Sequence, residues 1–283
     1  WRMRGEAPSQ HDFDHVYTRQ LYAGFGHKQF GELTYGNMVT ITDEVKQTDL
    51  ANTYSLTDGL LETSARRVTQ YVYNGDYGSN KVKFGAYYGG SSKRNIKNVD
   101  LKNNRKNTWG TGLIFNHEID SIQNVTVAAG FTRQISENAN KTAYYSNAYA
   151  LGLAYNFVHT TYGLDLAHKD TKNKGGAGNK VKNNEVTAVI RQGLNEDWNV
   201  YAMYSYKTEK TLPVGSAYSK STDRQFLVGT EYYVFKQGSV KVKPFIEWQA
   251  TRTKYENTFD KDSGKQLDRS RDFKTVIGLR AYW

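Results

Sequence analysis

Five carboxylates fall between Val39 and Ala65, namely Asp43, Glu44, Asp49, Asp58 and Glu62, with Lys46 the only cation among them, in a chain of formal net charge +10. Acids gathered in one stretch of a basic chain suit electrostatic work, ordering water and sorting ions by charge. The six histidines (His11, His15, His27, His117, His159, His168) make no His-Glu-x-x-His pattern, and no Gly-x-Ser-x-Gly elbow occurs, so the usual signatures of metallohydrolases and esterases are missing. His11 and His15 stand four apart beside Asp12 and Asp14, a weak metal candidate against the ordinary polarity of a loop. The chain has no cysteine, which excludes disulfides, thiol catalysis and thiolate metal centres. No catalytic group, metal or cofactor is expected.

The positive excess is concentrated too. Ser91–Thr108 carries Lys93, Arg94, Lys97, Lys102, Arg105 and Lys106 against Asp100, and His168–Asn184 carries Lys169, Lys172, Lys174, Lys180 and Lys182 against Asp170. Both stretches are rich in Asn, Gly or Ser and read as loops. The plain reading of such loops is solvated charge; the sharper one is contact with an anionic surface, nucleic acid or a phosphorylated lipid headgroup.

The elements that must position these groups are strands. No run approaches the ~20 apolar residues of a membrane helix, and helical periodicity is nearly absent. Period-two alternation recurs instead: Val82, Phe84, Ala86 and Tyr88; Tyr149, Leu151, Leu153, Tyr155 and Phe157; Val240, Val242, Pro244, Ile246 and Trp248; Phe273, Thr275, Ile277, Leu279 and Ala281. These alternating runs exceed the five or six residues usual in soluble sandwiches and approach the 9–11 that cross a bilayer at a tilt. Many end in Tyr, Trp or Phe, as an interfacial girdle requires, while Gly85, Gly152, Gly163, Gly229 and Gly278 fall on the other face. Connections alternate long (about 91–106, 138–143, 170–183, 208–223 and 255–270) and short, the rule for a barrel with external loops and periplasmic turns.

The pattern therefore predicts an all-β, transmembrane antiparallel barrel as a single domain over 1–283. Strands are expected near 16–26, 29–38, 67–74, 81–90, 107–117, 123–134, 145–157, 160–168, 185–193, 198–208, 224–234, 239–252 and 271–283, with a stub at Trp1–Arg4. Closed bacterial barrels have even strand numbers, so sixteen strands with an N-terminal part missing from this chain is the expectation, and fourteen with the stub fully paired is the alternative. The segment 39–66 departs from the other connections by carrying Val39, Ile41, Val45, Leu50, Leu60 and Leu61. A long, acidic, partly apolar loop on a wide barrel is expected to pack against the lumen wall. Lys241, Lys243, Glu247, Lys274 and Arg280 take the polar parity of long strands and are expected to line the lumen. A soluble basic β-sheet protein binding nucleic acid or glycan is the other class weighed. The placing of aromatics on strands and cations in loops speaks against it, because a stacking platform needs both on one surface.

At Thr18-Arg19-Gln20-Leu21-Tyr22-Ala23-Gly24-Phe25 and Phe30-Gly31-Glu32-Leu33-Thr34-Tyr35-Gly36-Asn37, followed by the long loop, Arg66-Arg67 and an aromatic last strand, the chain resembles the general trimeric porins of the Gram-negative outer membrane. It is most similar to the branch of Haemophilus and Pasteurella relatives. The resemblance implies a homotrimer in the outer-membrane bilayer that passes small hydrophilic solutes and ions through a water-filled channel, with no nucleic acid as partner. It also implies a third loop folded into the barrel, with its carboxylates facing wall arginines. Arg19 and Arg67 (or Arg66) match those arginines, and Asp49 matches a loop carboxylate best. Asn37 stands where the family often has Arg, the Pro-Glu-Phe-Gly-Gly loop signature is absent, and Trp283 replaces the usual terminal Phe.

Overall fold

The computed structural model describes residues 2–3, 16–17, 20–91, 104–138, 141–174, 179–212, 218–257 and 266–282. Its elements run β1 (Arg2–Met3), β2 (Val16–Tyr17), β3 (Leu21–His27), β4 (Gly31–Val39), a 3-10 turn (Ile41–Val45), β5 (Ser64–Tyr77), β6 (Asn80–Gly89), β7 (Asn104–Asp120) and β8 (Gln123–Asn138). They continue through β9 (Lys141–Phe157), β10 (Thr160–Asn173), β11 (Lys180–Gly193), β12 (Trp198–Leu212), β13 (Ser219–Tyr232), β14 (Phe235–Gln237), β15 (Val240–Asn257) and β16 (Gln266–Tyr282). β3 to β16 make one 14-stranded antiparallel sheet in which chain neighbours pair, apart from β13, which pairs β15 past the short β14; β1 and β2 pair separately. Among the described residues β3 and β16 are the edges of this sheet. Thirteen strands of the sheet overlap the expected ones and β14 is the addition, but the first, expected over 16–26, enters the sheet only as Leu21–His27, because Val16–Tyr17 pair with Arg2–Met3 apart from it.

Two expectations need correction. The strands from β5 onward, β14 aside, are 10 to 18 residues long, mostly longer than the alternation suggested. The reason is visible on β10 and β11, whose ladder continues through Lys169↔Asn183, Asp170↔Lys182 and Lys172↔Lys180. Backbone pairing does not need apolar side chains, so a hairpin outlasts its apolar band. The basic stretch His168–Asn184 is accordingly mostly strand, while most of Ser91–Thr108 lies outside the described residues. Likewise β7, expected to end near 117, runs on through Asp120, and the turn is Ser121–Ile122.

A strand shows alternate side chains to opposite faces, and here the faces differ in kind. One exposes Phe84, Tyr88, Trp109, Tyr149, Leu151, Tyr204, Phe226, Ile246, Trp248 and Ile277, the last 79% accessible. The other buries Tyr87, Ala128, Ala148, Val189, Tyr201, Met203 and Leu227 beneath residues 40–63. Small residues make the room. Gly85, Gly112 and Gly130 are directly opposite one another across β6, β7 and β8. A Cβ on Gly85 would meet Ile41 at 3.0 Å, and one on Gly130 would meet Leu61 at 2.8 Å and Val45 at 2.9 Å. Farther round, Gly229 faces Tyr201 and Gly278 faces Phe245 across the ladder, each accommodating the ring of its neighbour.

Candidate functional site: an inner loop fastened to the wall

Residues 40–63 join β4 to β5 and cross the inner face from β6 to β16. Their apolar side chains enter three clusters: Ile41 with Met38, Val68 and Tyr87; Val45 and Leu61 with Ala128 and Ala148; Ala51 and Leu56 with Val189, Tyr201, Met203 and Leu227. Between these clusters the wall grips the loop backbone with buried carboxylates. Asp165 accepts from the Gln47 N–H at 2.9 Å and the Thr48 N–H at 2.9 Å. Glu185 accepts from the Asp58 N–H at 2.8 Å. Glu247, fully buried, accepts from the N–H groups of Asn52, Thr53 and Tyr54 and from the Tyr201 hydroxyl at 2.6 Å. At the base, Gln70 accepts from the Ile41 N–H at 2.7 Å, and the Tyr87 hydroxyl donates to the Glu62 carbonyl at 3.1 Å.

Asn52 is the far anchor. Its amide donates to Glu231 at 2.8 Å and to the Tyr201 oxygen at 2.9 Å, and its carbonyl accepts from Arg280. Glu231 in turn pairs with Lys243 at 2.5 Å and with Arg191. Removing one member of a buried, hydrogen-bonded charge group leaves the others uncompensated, at about 3–5 kcal/mol. Glu231→Ala should therefore lower the temperature at which the folded protein loses its compact gel mobility, with Glu231→Gln in between. An unchanged transition in the alanine variant would show that this network does not hold the wall.

The loop acids behave differently. Their side chains are 31–63% accessible, and each meets a lysine: Asp43 and Asp49 share Lys46 at 3.4 and 3.7 Å, Glu44 meets Lys83 at 2.5 Å, Asp58 meets Lys207 at 2.6 Å, and Glu62 meets Lys169 at 3.2 Å. Exposed pairs contribute roughly 0–1 kcal/mol each, so these do not fasten the loop. They set the charge of the surface it presents to water.

The comparisons with known proteins fit this arrangement. A family model described as Gram-negative porin matches residues 3–244. The chain belongs to the Gram-negative porin family. The porin is 23% identical to the major outer membrane protein of Pasteurella multocida over 274 residues, 95% of this chain and 68% of that protein. Among solved structures, outer-membrane expressed OmpT of Vibrio cholerae superposes with a TM-score of 0.64 at 17% identity, over 94% of this chain and 81% of that one; its in-vitro folded trimer form gives 0.61 at 15%, over 94% and 81%. The anion-selective porin from Comamonas acidovorans gives 0.56 at 14%, over 90% and 74%. The protein is thus an outer-membrane β-barrel porin that forms a channel, and the loop lies on the face opposite its exposed apolar one. No finding favours a soluble binding protein.

The sequence-expected site residues divide on this porin's wall. The five loop acids gather on the inner face, with lysine rather than arginine partners. Arg19 and the pair His11 and His15 lie outside the described residues, as does the side chain of Arg66. Arg67 has a positive φ of 53° beside the bulge at Asn37, whose side chain accepts its N–H at 3.3 Å; its own side chain is exposed. Lys241 is exposed, and Lys274 pairs with Asp272 at 3.0 Å. Lys243 and Glu247, expected to line the lumen, take the inner face and are buried there, and Arg280 donates to the Asn52 carbonyl of the loop. Among the described residues, no three His, Asp or Glu side chains gather in a metal-binding group.

Sequence reasoning missed Asp165, Glu185, Glu231 and Tyr201, and also Arg105. Arg105 faces inward beside a bulge in β7, donates to the Gly90 carbonyl at 3.0 Å and lies within electrostatic reach of Glu62 and Tyr87. The available signal was an acid at inward parity between apolar neighbours, as in Leu164-Asp165-Leu166.

Proposed function

We propose that this porin works as a passive, water-filled pore for small hydrophilic solutes and ions, narrowed by residues 39–66, and that it operates as a homotrimer without catalysing a reaction. The observation that carries the reading is the fastening of the loop backbone along the inner wall by Asp165, Glu185 and Glu247, while its acids stay in water. A loop held this way stands in the path of permeation and keeps a fixed shape there. The trimer form of the Vibrio cholerae structure supports the assembly. The test is reconstitution into planar bilayers and sugar-loaded liposomes: stable conductance steps and size-limited swelling are expected, and neither would appear if the lumen were closed.

Asp43, Glu44, Asp49, Asp58 and Glu62 are the acidic side of the constriction on this reading, with Lys46, Lys83, Lys169, Lys207 and Arg105 as the basic side. A unit charge about 5 Å from an ion's path in water changes its energy by roughly 0.8 kcal/mol, about fourfold in local concentration. Asp43→Asn with Asp49→Asn removes both partners of Lys46, so reversal potentials at low salt should shift toward anions by a few-fold in permeability ratio, less at high salt. An unchanged ratio would remove these two residues from the filter.

A further inference from the structure

The far anchor gathers a nucleophile, an electrophile and a base into one buried group. Asn52 Nδ2 and Lys243 Nζ both donate to the same oxygen of Glu231, Oε2, at 2.8 and 2.5 Å. The three residues are nearly dry, with Asn52 5%, Lys243 6% and Glu231 2% accessible. Fastening alone does not call for this grouping, since Asp165 and Glu185 hold the loop through its backbone N–H groups.

The charge at the anchor is also out of balance. Arg191, Lys243 and Arg280 converge there against Glu231 and Glu247. Lys243 stands directly opposite Arg280 across the β15–β16 ladder, where like charges repel. A guanidinium does not shed its proton, so Lys243 is the cation that can. The Asn52 amide is held on one side only. Its nitrogen donates to Glu231 and Tyr201, while its oxygen, Oδ1, is buried without a hydrogen-bond partner.

We propose that Lys243 and Asn52 become joined by an amide cross-link, formed once by the folded chain acting on itself. Glu231 takes a proton from the Lys243 ammonium, and the freed electron pair on Nζ attacks Asn52 Cγ. The carbonyl π pair moves onto Oδ1. Arg280, already donating to the backbone carbonyl of Asn52, has further N–H groups for that oxygen as it turns negative. The carbonyl then re-forms and the Cγ–Nδ2 bond breaks. Glu231 hands its proton to Nδ2, which leaves as ammonia, and carries the surplus Nζ proton to that ammonia, ending as the carboxylate it began as. One ammonium and one carboxamide thus become one secondary amide and one ammonium ion, with no oxidant, reductant or other reactant. Protons must travel from the attacking nitrogen to the departing one, and Oε2 touches both. Holding the partners together in this way replaces a chance encounter by an intramolecular step. The product leaves two cations with two carboxylates. The flexible lysine stem makes the link a leash: Thr53 and Tyr54 keep room to lift, but the loop cannot leave β15.

The test is the mass of the full chain, folded and purified in detergent and then denatured, followed by digestion and tandem mass spectrometry of the fragments. The parent should weigh less than its sequence by one ammonia. It should also yield a branched peptide in which the Lys243 side chain carries the segment around Asn52. Lys243→Arg and Glu231→Gln should keep their full mass, and Asn52→Asp should lose water in place of ammonia. A folded parent of full mass overturns the proposal, whatever the variants do and whether or not the pore conducts. So does a loss of ammonia without the branched peptide, which would mark a cyclised asparagine. A branched peptide that persists in Glu231→Gln would overturn the assignment of the proton transfer to Glu231.

Discussion

Replacing Glu247 with alanine should free the far half of the inner loop and raise single-channel conductance, with noisier open levels. The side chain is fully buried and accepts three consecutive backbone N–H groups and the Tyr201 hydroxyl. A buried donor left without a partner costs about 1–3 kcal/mol, so losing four acceptor contacts is worth on the order of 5 kcal/mol. That is comparable with the whole stability of many domains, but here it falls on one segment. The barrel ladder does not pass through Glu247's side chain, so the wall should survive while Asn52 to Tyr54 lift away. Asp165 and Glu185 keep their hold on the rest of the loop. Planar-bilayer recordings of E247A beside the parent would decide it, and identical conductance and size cutoff would mean the loop is held without this carboxylate. E247Q retains one acceptor oxygen and should fall between.

Gly152→Val should produce the same opening without altering any charge. A Cβ at Gly152 would stand 2.1 Å from the Val45 carbonyl oxygen and 2.8 Å from Gln47. Backbone cannot step aside as a side-chain tip can, so the loop must rise from β9 or the strand must distort. Forcing extra methyl groups into a packed interior costs about 1–3 kcal/mol. Gly112→Ala is the gentler control, since its Cβ would sit 3.1 Å from Ile41 Cγ1 and 3.2 Å from the Ile41 carbonyl oxygen, close contacts that a shift of a few tenths of an ångström relieves, and it should change conductance much less. Should both variants conduct like the parent, the close seating of the loop on the glycine row would be irrelevant to pore size.

The fold was legible because alternation is a direct record of which side chains meet lipid. Val240 to Trp248 and Phe273 to Ala281 place their apolar rows outward as their spacing demands, and the thirteen long strands follow. Strand ends were not legible, because ladders such as Asp170↔Lys182 continue where both faces are polar. The loop was legible as an outlier by its acids and its apolar residues together. Its fastening was not. Asp165 and Lys169 have the same inward parity on β10, yet one grips backbone and the other reaches Glu62. The difference is set by where a segment more than a hundred residues earlier happens to cross. The same blindness assigned Arg269 to a loop, although it stands on β16, on the outer wall.

The wall carboxylates hold peptide groups, and every amino acid except proline offers the same N–H. On the proposed reading of the pore, substitutions at Asp43, Glu44, Asp49 or Asp58 should therefore leave the attachment of the segment intact while changing what it shows to passing solutes. A lineage under pressure from toxins or scarce nutrients can retune its permeability one codon at a time, without first solving the problem of folding again.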